Sequence, residues 1–344
     1  MKKIIFSLAF LYMVYSAALG AEFSDGRIRL VLHENTGHFS LYYLTYVDGK
    51  PYEPLFTDRD PRSSFLSLMV NNQSYRLGES SFFKTTLGGT LSAPVFMYES
   101  SLLTVTNSFS FIKTGSSLLS NGVMLTITIT NRTDRDVAAG IRLLIDTNSD
   151  ENDVLHFMTD QREINAEETI EQDSIDRYWT SKTGYLVLKV SLDGHTRPDL
   201  VHFANWKRLN DASWKIPYIQ GRNFSLPPYS VNDSAVCHYY DPVLIPPLGG
   251  SRIITVVLSG EIEQDPDSVE ISSDSTSGIT GLHGAAGGYG PAGRSGSIQS
   301  DLVILHNLQI QLDEFASSNI AVSEEELAAM KLLISRIKLK YDIP

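Results

Sequence analysis

The loop that begins at Asp146 has the spacing of oxygen ligands that could hold a calcium ion. With Asp146 as position 1, Asn148 and Asp150 fall at positions 3 and 5, where calcium loops carry oxygen ligands. Position 6 is Glu151 where an EF-hand needs glycine, and position 12 is Phe157 where it needs a bidentate glutamate, so an EF-hand is excluded. Two interpretations remain open, a solvated acidic turn and a structural calcium site with the ligands Asp146, Asn148, Asp150 and Asp153.

A second group of residues has the composition of a sugar-binding surface. Aromatic rings offer apolar faces to a ligand, and neighbouring polar side chains offer hydrogen bonds that fix its orientation. The segment NWKRLNDASW, residues 205–214, contains both kinds. The predicted sugar-binding residues are Trp179, Trp206, Trp214, Arg208 and Asp211. The alternative left open is that the aromatic residues pack in the core of a β-sandwich.

No motif in the sequence indicates a catalytic centre. The sequence has neither the HExxH pair of a zinc protease nor the Gly-x-Ser-x-Gly turn of a serine hydrolase, and its single cysteine cannot form a CxxC pair. Carboxylates that could form an acid and base pair exist, but the sequence does not show which of them face each other. We therefore predict no catalytic residue, interpret the protein as non-enzymatic, and expect no cofactor other than a structural calcium ion.

Charge and cysteine content restrict the partners and the compartment. The chain has 28 Lys and Arg against 40 Asp and Glu, and its formal charge of −12 repels the phosphate backbone of nucleic acids, which we exclude as partners. Cys237 cannot form an internal disulfide, which favours a bacterial periplasm over a eukaryotic extracellular setting. Since Cys237 lies in an alternating strand pattern, we predict that it is a buried packing residue.

Residues 1–20 have the features of a secretory signal peptide. Lys2 and Lys3 precede an apolar stretch that ends in small residues. We expect cleavage after Gly20, a periplasmic or secreted bacterial protein, and no membrane span after signal cleavage.

Residues 21–270 are predicted to form a mainly β domain, a large antiparallel two-sheet sandwich or supersandwich. Short runs rich in Val, Ile, Leu, Thr and Tyr alternate apolar and polar residues, with Gly, Asn, Asp or Pro between them. The strongest pattern, residues 123–145, predicts a β-hairpin with one apolar face. The residues of that face are Val123, Leu125, Ile127, Ile129, Val137, Ala139, Ile141, Leu143 and Ile145.

Two further segments are predicted after the β domain. Residues 271–300 are rich in Gly and Ser and indicate a flexible linker, and the three- and four-residue spacing of apolar residues in 301–344 indicates an amphipathic αα-hairpin. Since such a hairpin cannot bury both apolar stripes alone, we expect it to dock on its own sandwich, on a second copy or on another envelope protein. The predicted partner-binding residues are Leu305, Leu308, Leu312, Phe315, Leu327, Met330, Ile334 and Ile337.

The strand pattern of residues 23–262 resembles a known family. The stretches ITITNRTDRDVAAGIRLLIDT and NDSAVCHYYDPVLIPPLGGSRIITVVLSG are similar to galactose-mutarotase-like β-supersandwich domains of secreted bacterial proteins. The resemblance implies a carbohydrate-related supersandwich. The Glu base and His acid of that family's enzymes match no position here, so their activity is not implied. A second similarity, to exported spirochaete envelope proteins including those of periplasmic flagella, implies a non-catalytic role.

Two hypotheses for function follow from these patterns. The first is a periplasmic, non-enzymatic structural or assembly protein of the cell envelope that engages partners through residues 301–344. The second is a carbohydrate-binding or carbohydrate-modifying β-sandwich protein, with a glycan as its partner.

Overall fold

The computed structural model describes most of the chain between residues 20 and 263. The described ranges are 20–47, 50–57, 60–115, 117, 119–147, 155–193, 196–225 and 233–263. The predicted signal peptide up to residue 19, the linker 271–300 and the helical hairpin 301–344 lie outside the described residues. Of the two units into which the chain divides, the first comprises Met1–Thr45 and Pro51–Ile262 and contains the two largest sheets.

The described residues are mainly β, and every strand pairing among them is antiparallel, which confirms the mainly β, antiparallel part of the predicted fold class. Three sheets are present where two were predicted. One short α-helix, α1, spans Trp206–Asp211, and a 3-10 helix spans Pro61–Ser63. The strands in chain order are β1 Ala21–Asp25, β2 Ile28–His33, β3 His38–Val47, β4 Lys50–Pro54, β5 Phe65–Val70, β6 Gln73–Arg76, β7 Lys84–Gly89, β8 Pro94–Glu99, β9 Leu103–Ile112, β10 Gly122–Asn131, β11 Val137–Asp146, β12 Phe157–Thr159, β13 Glu163–Ile164, β14 Glu168–Glu171, β15 Tyr178–Thr183, β16 Leu186–Ser191, β17 Leu200–Asn205, β18 Ser234–Ile245 and β19 Ser251–Ile262.

The strands belong to three sheets. A four-stranded sheet has the order β1-β2-β3-β4, and a six-stranded sheet has the order β14-β17-β18-β11-β5-β6. A nine-stranded sheet has the order β13-β12-β15-β16-β19-β10-β9-β8-β7. Inward-facing apolar residues of all three sheets form one continuous core.

The predicted hairpin of residues 123–145 is wrong in its pairing, although its apolar face is buried as predicted. β10 pairs with β9 and β19 in the nine-stranded sheet, whereas β11 pairs with β5 and β18 in the six-stranded sheet. Both strands turn their apolar faces into the common core. Because alternation fixes which face is buried but not which strand is the neighbour, the sequence pattern fits both arrangements.

The six-stranded sheet also buries its second face. A smaller apolar cluster lies there, comprising Phe65, Leu144, Ala204, Leu209, Ala235, Cys237 and Tyr239. The burial predicted for Cys237 is confirmed, since its side chain is inaccessible. This second face explains why β11 is buried at nearly every position instead of at alternate ones.

Candidate binding site on the six-stranded sheet

The second face of the six-stranded sheet carries polar and charged groups among its apolar residues. Directly paired residues lie on the same face of a sheet, and the register places Ser67, Arg142, Tyr239 and Leu200 in one row across four strands. The next row, two residues away, holds Phe65, Leu144, Cys237 and His202. Together the two rows bring an arginine, a tyrosine, a thiol and a histidine to one surface.

Residues 206–225, named here the cover segment, lie over part of this face. It begins with α1, whose N-cap is Asn205, because the Asn205 side chain accepts a hydrogen bond from Arg208 N at 3.3 Å. Leu209 of α1 and Phe224 are buried, and Leu209 belongs to the cluster on the second face. The cover segment is thus anchored by apolar side chains near its start and its end.

Arg142 joins the sheet to the cover segment. Its side chain is 1% exposed. Its guanidinium donates to Ala212 O at 2.8 Å and to Leu209 O, and Nε donates to Cys237 Sγ at 3.1 Å. Burial disfavours its charge, but neighbouring Cys237 and Tyr239 outweigh that effect and hold the pKa of Arg142 above its ordinary value. In the described residues no carboxylate forms an ion pair with Arg142, so backbone carbonyl groups solvate the buried charge.

Glu167 makes a second connection to the cover segment, through hydrogen bonds from Arg208 and Ile219. Its carboxylate accepts hydrogen bonds from Arg208 and, at 2.9 Å, from Ile219 N, and His202 Nε2 lies 3.1 Å from Oε1. An ionised carboxylate only accepts, so His202 Nε2 must carry the proton. Burial opposes ionisation of Glu167, but the hydrogen bonds from His202 and Arg208 outweigh it and keep its pKa below the ordinary value.

The cover segment carries two partly accessible tryptophans beside exposed charged side chains. Trp206 and Trp214 are half-buried, and the buried part of each ring packs against the apolar cluster on the second face of the sheet. Trp206 Nε1 donates to Ser63 O at 2.9 Å, and the Trp214 ring contacts Tyr239 edge-on at 5.9 Å between centroids. Asp211 is exposed and pairs with Lys207 at 2.9 Å.

The structure brings together four of the five residues predicted to bind sugar. Trp206, Arg208, Asp211 and Trp214 all lie in the cover segment, although Arg208 is buried and bonded to Glu167. Trp179 lies elsewhere, in the main core with no exposed surface. Trp179 therefore packs in the core, which was the alternative to sugar binding. Sugar binding by the other four residues stays a prediction.

The predicted calcium loop is described only at its start. Asp146 ends β11 and is 7% exposed, and its backbone N donates to Ser64 Oγ at 2.9 Å. Asn148, Asp150 and Asp153 lie outside the described residues. No group of three or more His, Cys, Asp or Glu side chains that could hold a metal occurs among residues that are described. The calcium site stays a prediction.

Sequence reasoning missed Arg142, Glu167 and His202. A signal for Arg142 was present, since a charged residue inside the apolar run AAGIRLLI must either find partners in the interior or end the strand. Glu167 and His202 are 35 residues apart in a pair that only the fold brings together.

Within the described part of the chain, no helix has the length and hydropathy needed to cross a membrane.

Known proteins were compared with the chain by sequence and by structure. No family model and no curated protein matches the sequence. Among solved structures, a galactose mutarotase related enzyme from Lactobacillus acidophilus is 9% identical, with 72% of this chain and 99% of that chain covered and a TM-score of 0.46. A proposed aldose 1-epimerase from Escherichia coli K12 is 8% identical, with 71% and 99% covered and a TM-score of 0.44. At these TM-scores, membership of the galactose-mutarotase-like family stays a prediction.

Proposed function

We propose that this chain is an exported bacterial carbohydrate-binding protein without enzymatic activity, which binds a glycan on the accessible surface of Trp206, Trp214 and their polar neighbours in the cover segment. The observation that carries the proposal is the way Arg142 fixes the segment from below. Two carbonyl groups of the segment, from Leu209 and Ala212, are bound by one buried guanidinium. Trp206 and Trp214 are therefore presented on a preorganised surface, which lowers the entropic cost of binding.

The chemistry of this surface suits a sugar. The accessible parts of the two indole rings offer apolar surface for the C–H groups of a pyranose. Asp211 and Lys207 are exposed beside them and can exchange their mutual ion pair for hydrogen bonds to hydroxyl groups. Export to the periplasm belongs to the same proposal and rests on the predicted signal peptide.

The test is a glycan array probed with the full mature chain and with Trp206→Ala and Trp214→Ala. We expect a defined set of glycans to bind the native chain and both variants to lose at least about tenfold in affinity, or about 1.4 kcal/mol. Tyr178→Ala is the matched control, because Tyr178 is a partly exposed aromatic residue on β15, outside the cover segment. No binding by the folded native chain, or equal loss in the control, would contradict the proposal.

A second candidate function is a structural or assembly component of the envelope, for example of periplasmic flagella. Apolar residues exposed around the turn between β18 and β19 favour it. Val243, Leu244 and Leu248 are 46%, 69% and 83% exposed. Leu248 also has a φ of 55°, a conformation that is uncommon for a residue with a branched side chain. Exposed apolar residues of this kind are typical of protein contacts.

Sedimentation of the full mature chain tests this second function. We expect self-association, or binding of a purified envelope partner, that Leu248→Asp abolishes while Leu91→Asp does not, since Leu91 is an equally exposed leucine in a different turn. A monomer that binds no partner, or equal behaviour of the two variants, would exclude a role for this turn. The prediction that residues 301–344 engage the partner is tested separately by deleting them.

A further inference from the structure

The outer face of the nine-stranded sheet carries an array of hydroxyl side chains, named here the hydroxyl face. Residues alternate along β9 and β10, so that Val105 and Ile127 point into the core while their neighbours point outward. The outward residues are nearly all serine or threonine. The hydroxyl face comprises Thr104, Thr106, Ser108, Ser110, Thr126, Thr128, Thr130 and Thr255.

The strand register places these hydroxyl groups in a regular grid. Thr106 is directly opposite Thr128, and Ser108 is opposite Thr126, which in turn is opposite Thr255. Sheet geometry sets the repeat at about 4.8 Å between strands and roughly 6.8 Å between outward residues of one strand. Within the described part of the chain, none of the eight hydroxyl groups makes a hydrogen bond to another protein group. They are therefore free to bind a ligand.

Apolar side chains complete the rows of this grid. Met97 and Ile253 flank the pair formed by Thr106 and Thr128, and Val95 extends the row of Ser108. A hydroxyl array with apolar neighbours matches the two sides of a pyranose, its hydroxyl groups and its C–H face. The β-branched threonines also have few side-chain conformations to lose on binding.

The charge of the hydroxyl face restricts the ligand. The chain has a net charge of −12, but the rows of Thr106 and Ser108 contain no charged residue. Charged residues occur at the margins of the face. Glu99 lies opposite Thr104 and pairs with Arg132 at 3.6 Å, and Lys189 of β16 pairs with Glu261 at 3.8 Å. An uncharged ligand can cover the centre of the face without removing any charge from water.

We propose that the hydroxyl face is a second binding site, which takes an uncharged, extended polysaccharide laid across β8, β9, β10 and β19. The spacing between neighbouring strands is comparable with the length of one sugar unit. Successive sugar units of one polymer can therefore contact successive strands of the hydroxyl face. The site shares the class of ligand with the proposed function but uses none of the residues of the cover segment. A polymer would bind here through many weak contacts instead of one deep pocket.

Co-sedimentation of the full mature chain with insoluble chitin, an uncharged polysaccharide, tests the site. We expect retention of the native chain and a loss of about tenfold or more in Thr106→Lys and Thr128→Lys, because each lysine would lose water on contact with a neutral polymer. Ser92→Lys is the matched control, since it adds the same charge at the exposed turn between β7 and β8.

A hydroxyl-specific variant separates chemistry from a general effect of charge. Thr106→Val with Thr128→Val keeps the shape and strand preference of both residues and removes only the hydroxyl groups, so the fold is retained. We expect a several-fold loss of retention with unchanged thermal unfolding. No retention of the native chain on chitin, or retention by the double variant equal to the native chain, overturns the proposal.

The same assay distinguishes this site from the surface of the cover segment. Trp214→Ala is expected to weaken binding of soluble oligosaccharides and to leave chitin retention unchanged. Loss of chitin retention in Trp214→Ala, with none in Thr106→Lys, would overturn the proposal and assign polymer binding to the cover segment.

Discussion

The indole of Trp179 donates its Nε1–H to Nε2 of His238 across 2.8 Å, and both side chains are completely inaccessible to water. The contact joins β15 of the nine-stranded sheet to β18 of the six-stranded sheet through the core. It requires a neutral His238 with its proton on Nδ1. Burial lowers the pKa of His238 to about 3, in agreement with a neutral ring.

Removing the acceptor of this hydrogen bond should destabilise the fold. His238→Leu leaves the indole N–H buried without a partner, and we expect the free energy of unfolding to fall by about 1–3 kcal/mol. A double-mutant cycle with Trp179→Phe checks the cause in urea unfolding. Trp179→Phe should cost less in the His238→Leu background than in the native chain, and equal costs would show that the hydrogen bond contributes nothing.

His38 should make the protein acid-sensitive well above the pKa of its carboxyl groups. Burial, together with the positive charge of Arg76, lowers the pKa of His38 from 6.5 to about 4. The folded state therefore binds a proton less readily than the unfolded state, so stability is complete above pH 6.5 and falls as the pH drops towards 4. The loss attributable to His38 is up to about 3 kcal/mol.

Thermal unfolding between pH 4 and pH 7 measures this effect. His38→Gln should flatten the decline in melting temperature over that window, whereas His33→Gln, at the neighbouring position of the same strand pair, should change it less. An identical decline in the native chain and in His38→Gln would show that other groups cause the acid sensitivity.

Glu167, which binds the cover segment, is expected to contribute far more to stability than an exposed carboxylate of that segment. Glu167→Gln removes the charge that faces the buried Arg208, which leaves a positive charge without an ionic partner. We expect a loss of about 3 kcal/mol in urea unfolding, with a lower affinity for any glycan bound by the cover segment. Asp211→Asn is the control, because its exposed pair with Lys207 should contribute below about 1 kcal/mol.

Two glycines of the nine-stranded sheet should respond oppositely to the same substitution. A Cβ atom on Gly260 would lie 2.2 Å from Tyr43 Cδ2, whereas one on Gly88 would meet nothing within 4 Å. Gly260→Ala must move a buried aromatic ring, and we expect it to destabilise the protein by about 1–3 kcal/mol. Gly88→Ala should be neutral or slightly stabilising. We expect the melting temperature of Gly260→Ala to be clearly lower than that of Gly88→Ala. Similar melting temperatures would contradict the packing of Tyr43 against Gly260.

The sequence allowed the strands and their buried faces to be predicted, but not their neighbours. The apolar residues at alternate positions of 123–129 and 137–145 are buried as their alternation indicates, because the period of two is a local property. β10 pairs not with β11 but with β9 and with β19, which is more than 100 residues further along the chain. No local pattern encodes that choice.

The candidate site was predicted in part for a similar reason. Trp206, Trp214 and Asp211 could be identified because they are clustered in one short stretch of sequence. The groups that hold this stretch in place come from distant strands, as with Arg142 of β11 and His202 of β17. Their roles follow from the second buried face of the six-stranded sheet. In the sequence, the only sign of that face is that β11 has fewer polar residues than a strand with one exposed face.

The nine-stranded sheet cannot be completed until β19 has been synthesised, because β19 occupies a central position in it. β19 lies between β16 and β10, and it is the last strand that the structure describes. A growing chain that stops after β16 but before residue 251 therefore has two half-sheets, each with an unpaired strand edge. Such a chain can bind chaperones or other chains through those edges but cannot complete its core. Completion of the sheet therefore requires synthesis through β19, and a stop between β16 and β19 exposes the edges of β10 and β16 to quality control.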